Sequence, residues 1–223
     1  MAASMKVSAP QDPYELFRFN MACAHDTFKA GYDSIQKHLE TPPTSDLTNF
    51  IGYCEAWACG IDHHHNMEES VVFPFLQTKL DFSREVEQHK GVHAGVDEVL
   101  ALLQRAKADP TVFDPGMLKE IMKRLKAPLY DHLDEEVEHI KPENLKVFSE
   151  SEMHKLNNDV TVYARNHADL FTLLPFIRSH TSPEYKDSFP APPIPWVLRK
   201  VLVPYIFAMR FSGYWKYSPY ATS

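Results

Sequence analysis

His64-His65-Asn66-Met67-Glu68, running on to Phe73-Pro74, and His132-Leu133-Asp134-Glu135-Glu136, running on to Pro142, are two versions of one pattern. In each, a His is followed four residues later by Glu and ten residues later by Pro. The offset between them is 68 residues (132 − 64), and the same offset carries His25 onto His93. His25, His64 and Glu68 therefore recur as His93, His132 and Glu136, with a His-to-His spacing of 39 positions in each half. The pattern describes two copies of one helical hairpin, each presenting the same side chains. Residues four apart on a helix share a face one turn apart, so His64 with Glu68, and His132 with Glu136, point to the same side.

Capping signals place the helices around this repeat. Asp12-Pro13-Tyr14-Glu15 begins a first helix, on which Phe17, Met21, His25, Phe28 and Tyr32 recur at helical spacing until Thr41-Pro42-Pro43. A second helix is predicted from near Ser45 to about Val72, closed by Pro74. A third starts near Ser83, carries Val86, His89, His93 and Val96, and ends before Asp109-Pro110. A fourth starts at Asp114-Pro115, is kinked by Pro128, runs to about Ile140 and stops at Pro142. Four long helices with short connections predict an all-α, antiparallel up-down four-helix bundle over residues 12–148, behind an N-terminal arm of residues 1–11. Residues 149–223 read as a C-terminal helical extension. It holds a capping box at Ser149–Glu152, a Pro-rich link at Phe189–Pro195 and an aromatic, basic last segment. The apolar run Val201–Met209 is too short and too flanked by charge to predict a membrane span.

Composition narrows the class of function. A net charge of −7 over 223 residues argues against nucleic acid as the main partner. The three cysteines, Cys23, Cys54 and Cys59, lack paired spacing and read as reduced thiols, which with the lack of a visible secretory signal suggests a cytoplasmic protein. Among the 12 His, the repeat selects His25, His64, His93 and His132. His89 joins them because it lies four residues before His93. His63 and His65 flank His64 and are expected to point elsewhere, while His38, His139, His154, His167 and His180 are expected to face solvent. Asp134, Glu135, Glu138 and Glu143 read as a solvated helix face.

Imidazoles and carboxylates gathered inside a dry bundle are costly unless paired, and metal coordination removes that cost. The set is uneven, since His89 has Met21 as its counterpart in the first half (89 − 68 = 21). One half offers His89, His93 and His132; the other offers His25 and His64. With Glu68 and Glu136 bridging two ions, one ion is nearly saturated and the other keeps an open position for a small ligand. Seven ligands are too many for one tetrahedral zinc, and imidazole with carboxylate suits iron.

These residues resemble the hemerythrin, or HHE cation-binding, family. Its pattern has a His on helix one, His-x-x-x-Glu before Phe-Pro on helix two, paired His on helix three, and His with a carboxylate on helix four. Here those positions are His25, His64/Glu68 before Phe73-Pro74, His89/His93, and His132/Glu136. The resemblance covers roughly residues 12–148 and implies a non-haem di-iron centre that reacts with O2. The last carboxylate departs from the oxygen-carrying members, which place an Asp five residues after the His; here Glu136 stands at four and Glu135, at three, is an alternative. Two main readings follow. The chain is an O2-binding protein of oxygen or iron handling or sensing, or it is a di-iron oxygenase or oxidase acting on a small organic substrate, with the extension shaping the pocket. A third is a sensing module whose extension contacts a partner.

Overall fold

The computed structural model describes residues 6–220 and 222; the first five residues of the N-terminal arm lie outside it, as do residues 221 and 223 of the extension. Among the described residues the chain is helical and has no strand. Pro13–Glu40 (α1) begins as its sequence dictates: the Asp12 side chain accepts from the Tyr14 and Glu15 amides, and Pro13 needs no partner in the first turn. Leu47–Met67 (α2), Ser83–Ala108 (α3) and Pro115–His139 (α4) follow, the last capped by the Asp114 carboxylate on the Met117 amide. Contacts join α1 to α2, α2 to α3, α3 to α4 and α4 back to α1, which closes an up-down square.

Pro74 does not end the second helix. The chain passes from α2 into a widened turn, Glu68–Val72, in which the Phe73 amide donates to the Glu68 carbonyl five residues back, and then into Phe73–Leu76. Proline lacks an amide hydrogen and crowds the carbonyl four residues before it. A widened turn ahead of the ring accommodates both and carries the helix past it.

The core falls into two apolar clusters with a polar layer between them. Phe28, Ile61, Val92, Val96, Leu129 and Leu133 belong to one cluster. Met21, Met67, Val72, Phe73, Phe82 and Ile140 belong to the other. The switch from one cluster to the other falls at His25 on α1, at His64 on α2, at His89 on α3 and at Glu136 on α4. At Gly95 an added Cβ would stand 2.6 Å from Leu125 Cδ1, so glycine is what lets α3 approach α4 here.

The extension covers the bundle. Glu150–His167 (α5) starts with the capping box of Ser149 and Glu152 and packs on α1, α2 and the widened turn. Leu173–His180 (α6) packs on α1 and α2. The last aromatic segment is seated close: an added Cβ at Gly52 would fall 2.0 Å from Tyr214 Cζ, and Ser34 donates to the Tyr217 carbonyl. His180 is thereby buried, contrary to the solvent-facing position expected from sequence; it stacks on Phe176, and its Nε2 meets the Tyr53 hydroxyl at 2.8 Å. No helix among the described residues is long and apolar enough to cross a membrane. The three cysteines are free.

Candidate metal centre

The polar layer contains two groups of potential ligand atoms that share one carboxylate. His25, His64 and Glu68 form one group, and His65, His89, His132 and Glu68 form the other, all buried, with the ligand atoms of each group within 4.8 Å of one another. Glu68 lies between them: Oε1 is 2.9 Å from His64 Nε2, and Oε2 is 3.4 Å from His89 Nε2. Glu136 lies across the layer, with Oε2 3.3 Å from His25 Nε2 and 3.9 Å from His132 Nε2. Both carboxylates and His132 are fully buried. Glu135 instead faces outward, held by Arg84 at 2.6 Å and Gln88 at 2.7 Å, so Glu136 is the carboxylate of α4 that reaches this layer.

The buried donor set fits a metal better than it satisfies itself. Both oxygens of Glu68 and of Glu136, both ring nitrogens of His65, and Nδ1 of His132 are buried without a well-formed hydrogen bond. His25 Nε2 and His64 Nε2 face each other at 3.0 Å, and His89 Nε2 and His132 Nε2 at 3.1 Å. Two ligands at right angles around one ion, with metal–nitrogen bonds of about 2.1 Å, have nitrogens about this far apart. The outer ring nitrogens are already engaged where orientation matters. His25 Nδ1 donates to the Leu133 carbonyl at 2.8 Å, and His89 Nδ1 donates to Glu69 Oε1 at 2.9 Å. Each bond fixes the ring orientation that turns Nε2 inward, free to coordinate once the ring is neutral.

His65 and His93 exchange the positions their sequence suggested. His65, expected to point away, is fully buried, and its ring stacks on His89 with centroids 4.2 Å apart. His93 lies outside both buried groups. Its side chain is 26 % exposed, its Nε2 donates to Glu69 Oε1 at 3.1 Å, and its Nδ1 is 3.6 Å from Asp62 Oδ1. It thus belongs to an outer group with Glu69 and the outer edge of His89. The sequence did contain the signal for His65. Glu68 is three residues beyond it and four beyond His64, and both spacings share a helix face. His139 is also drawn in from solvent: its Nδ1 donates to Glu85 Oε1 at 2.7 Å, and its ring stacks on Phe82.

Burial and charge set the protonation of the layer. Burial draws His25 down, but the neighbouring Glu136 and Glu68 carboxylates outweigh it and raise its pKa to about 9. Glu136 is pushed up to about 7, by burial first and then by repulsion from Glu68. Burial also opposes ionisation of Glu68, yet His64, His25 and His89 together hold it well below the usual carboxylate range. Burial pulls His132 down to about 3 and lowers His65 and His64 as well.

These shifts make the metal-free protein acid-sensitive. An imidazole depressed in the folded state takes up its proton on unfolding, so stability falls as pH drops below about 6.5. For His132 that window extends down to its folded value of about 3. Glu136 opposes this, because its raised carboxyl binds a proton in the folded state between its ordinary 4.5 and about 7. His25 does not contribute to the slope there: the stability it lends is complete below about 6.5 and is lost only toward 9. Three depressed imidazoles outweigh one raised carboxyl. With His180, which burial also pulls down to about 3, the net loss expected between pH 6.5 and 5 is about 4 kcal/mol, from roughly 1.4 kcal/mol per pH unit for each net proton. Urea denaturation of the metal-free protein across this range checks it; an unchanged or rising midpoint on acidification would contradict the assignment.

Fold and layer together define a helical protein built to bind metal through histidines and carboxylates inside a bundle. A sequence profile of the hemerythrin HHE cation binding domain matches residues 20–143, more than half of the chain, and the chain belongs to that family. The matched span contains all four bundle helices, in whole or large part, and every residue of both buried groups. No curated protein and no solved structure matches the chain.

Proposed function

We propose that this protein is a non-haem di-iron protein that binds and reacts with O2, in oxygen or iron handling or sensing. The observation that carries the reading is the sharing of Glu68 between two buried His groups. One iron would be held by His25 and His64, the other by His65, His89 and His132, with Glu68 and Glu136 between them. Reduced iron, when bound there, supplies the electrons for O2 chemistry. The chain's own residues do the rest. Two imidazoles on the His25 side against three on the other leave fewer protein ligands around one ion, which is where a small molecule has room to bind. Phe28 packs against the His64 ring with centroids 5.1 Å apart, and Phe176 of the extension stacks behind it at 6.2 Å, so water is kept from that side. The Leu133 carbonyl and Glu69 hold His25 and His89 in place through their outer nitrogens.

The seating of the extension favours binding of a gas over turnover of an organic substrate. Tyr214 and Tyr217 lie tight against α1 and α2, and Phe176 of the extension stacks on Phe28 beside the His64 ring. The test is to admit O2 to the reduced, iron-loaded protein without substrate, follow the visible charge-transfer absorption, and then purge with argon. A band that forms and reverses supports O2 binding. Irreversible oxidation, with turnover once organic substrates are added, would replace this reading with an oxygenase or oxidase.

A further inference from the structure

A groove of about 690 Å³ opens between the start of α3 and the end of α4. Five carboxylates line it (Asp81, Glu85, Asp134, Glu135 and Glu138), with one guanidinium, Arg84. Most of these charges have partners: Arg84 holds Glu135, Lys29 reaches Asp134, and Lys141 reaches Glu138. Glu85 differs. Only 3 % of it is exposed; Oε1 accepts from His139, and Oε2 is buried with no partner at all. A carboxylate oxygen left so is costly, and a cation in the groove removes the cost.

Glu85 also stands where the groove meets the metal layer. It lies four residues before His89 on α3, and its partner His139 lies three residues after Glu136 on α4. Both therefore continue the inward stripes of their helices by one turn, a rise of about 5.4 Å. Gln88, three residues on from Glu85, also has a buried Oε1 without a partner, while its Nε2 donates to Glu135 of the groove.

We propose that this groove is the loading path for divalent cations, and that Glu85 Oε2 receives the ion from the groove carboxylates and hands it to the His89/Glu136 layer. The proposal rests on the metal-centre reading above and adds to it a route and a residue that is not itself a ligand of the final site. Five carboxylates against one guanidinium in its lining leave the groove with an excess of negative charge, and such an excess concentrates counter-ions and raises association rates, an effect that weakens with salt.

The test uses the full-length, metal-free protein mixed with Co(II) in a stopped-flow instrument, with loading read from the visible ligand-field absorption of cobalt. Glu85→Gln preserves shape and an acceptor for His139 while removing the charge. It is expected to slow loading about tenfold at low salt, with the same number of ions bound at the end, and the difference is expected to shrink as salt is raised. Glu138→Gln at the exposed rim should slow loading less. Glu120→Gln, on an exposed part of α4 outside the groove, removes the same charge and should load at the wild-type rate. A wild-type rate in Glu85→Gln overturns the proposal, as does equal slowing in Glu120→Gln, which would reduce the effect to net charge. Fewer ions bound by Glu85→Gln at equilibrium would make it a ligand or a fold-maintaining residue and would also overturn it. Failure of the unmutated protein to bind cobalt or iron would instead remove the metal-centre reading itself.

Discussion

Glu68→Ala is expected to abolish binding at both halves of the metal centre, because Glu68 is the one side chain common to the two buried groups. Its two oxygens face different imidazoles, His64 on one side and His89 on the other. No neighbouring acid can substitute without a backbone change: Glu69 points outward to His89 Nδ1 and His93, and Glu136 already occupies the opposite side. Loss of residues that merely orient ligands lowers affinity about 10- to 100-fold. Loss of a shared ligand should exceed 100-fold for both ions, leaving the purified variant essentially metal-free. Metal analysis after gel filtration measures this directly. The apolar clusters above and below the layer do not include Glu68, so the helical content of the variant should persist. A Glu68→Ala variant that keeps two ions per chain would show that the carboxylate does not join the groups.

His65→Ala and His93→Ala should behave very differently, although both residues sit near His89. His65 is fully buried with neither ring nitrogen hydrogen-bonded, which is the condition of a side chain whose partner is an ion. Its removal should cost the three-imidazole side more than about 100-fold in affinity and release one of two ions. His93 reaches the site through Glu69, which in turn orients His89, and through ring-edge contacts with His65 and His89. Its removal should cost about tenfold at most, in the range of an orienting contact, and leave the stoichiometry unchanged. Competition against a chromophoric chelator separates these outcomes. Equal losses in the two variants, or a larger one in His93→Ala, would favour the ligand set that the sequence repeat alone selects.

That contrast marks the limit of what the sequence could carry. Caps and prolines located α1 and α4 to within a residue or two, because Asp12-Pro13 and Asp114-Pro115 act through local chemistry. The 68-residue repeat brought His25, His64, Glu68, His132 and Glu136 to the same layer, since helical periodicity is a local property too. The repeat failed at His93. Internal symmetry makes it the counterpart of His25, but α3 is set in the bundle so that His89 points inward and His93 lies near the rim, beside Asp62 and Glu69 of the neighbouring helix. Helix rotation is fixed by packing, of which the approach at Gly95 to Leu125 is one part, and no single-helix pattern encodes it. Packing likewise decides that Glu136, and not Glu135, reaches the buried layer, because Arg84 and Gln88 draw Glu135 outward. Pro74 misled for a different reason. A proline ends a regular helix, but the widened turn at Glu68–Val72 takes up the disturbance, and that turn is the segment that begins with the shared carboxylate. The burial of His180 depended on the docking of the extension, which the sequence read only as a separate helical segment.

The measurement that bears most directly on the centre is a crystal structure of the iron-loaded protein with anomalous diffraction recorded on both sides of the iron absorption edge. Two anomalous peaks are expected, one on each side of the Glu68 carboxylate, the first among His25 and His64 and the second among His65, His89 and His132. A single peak, or a peak beside His93, Glu69 and Asp62 in place of the His65 side, would contradict it.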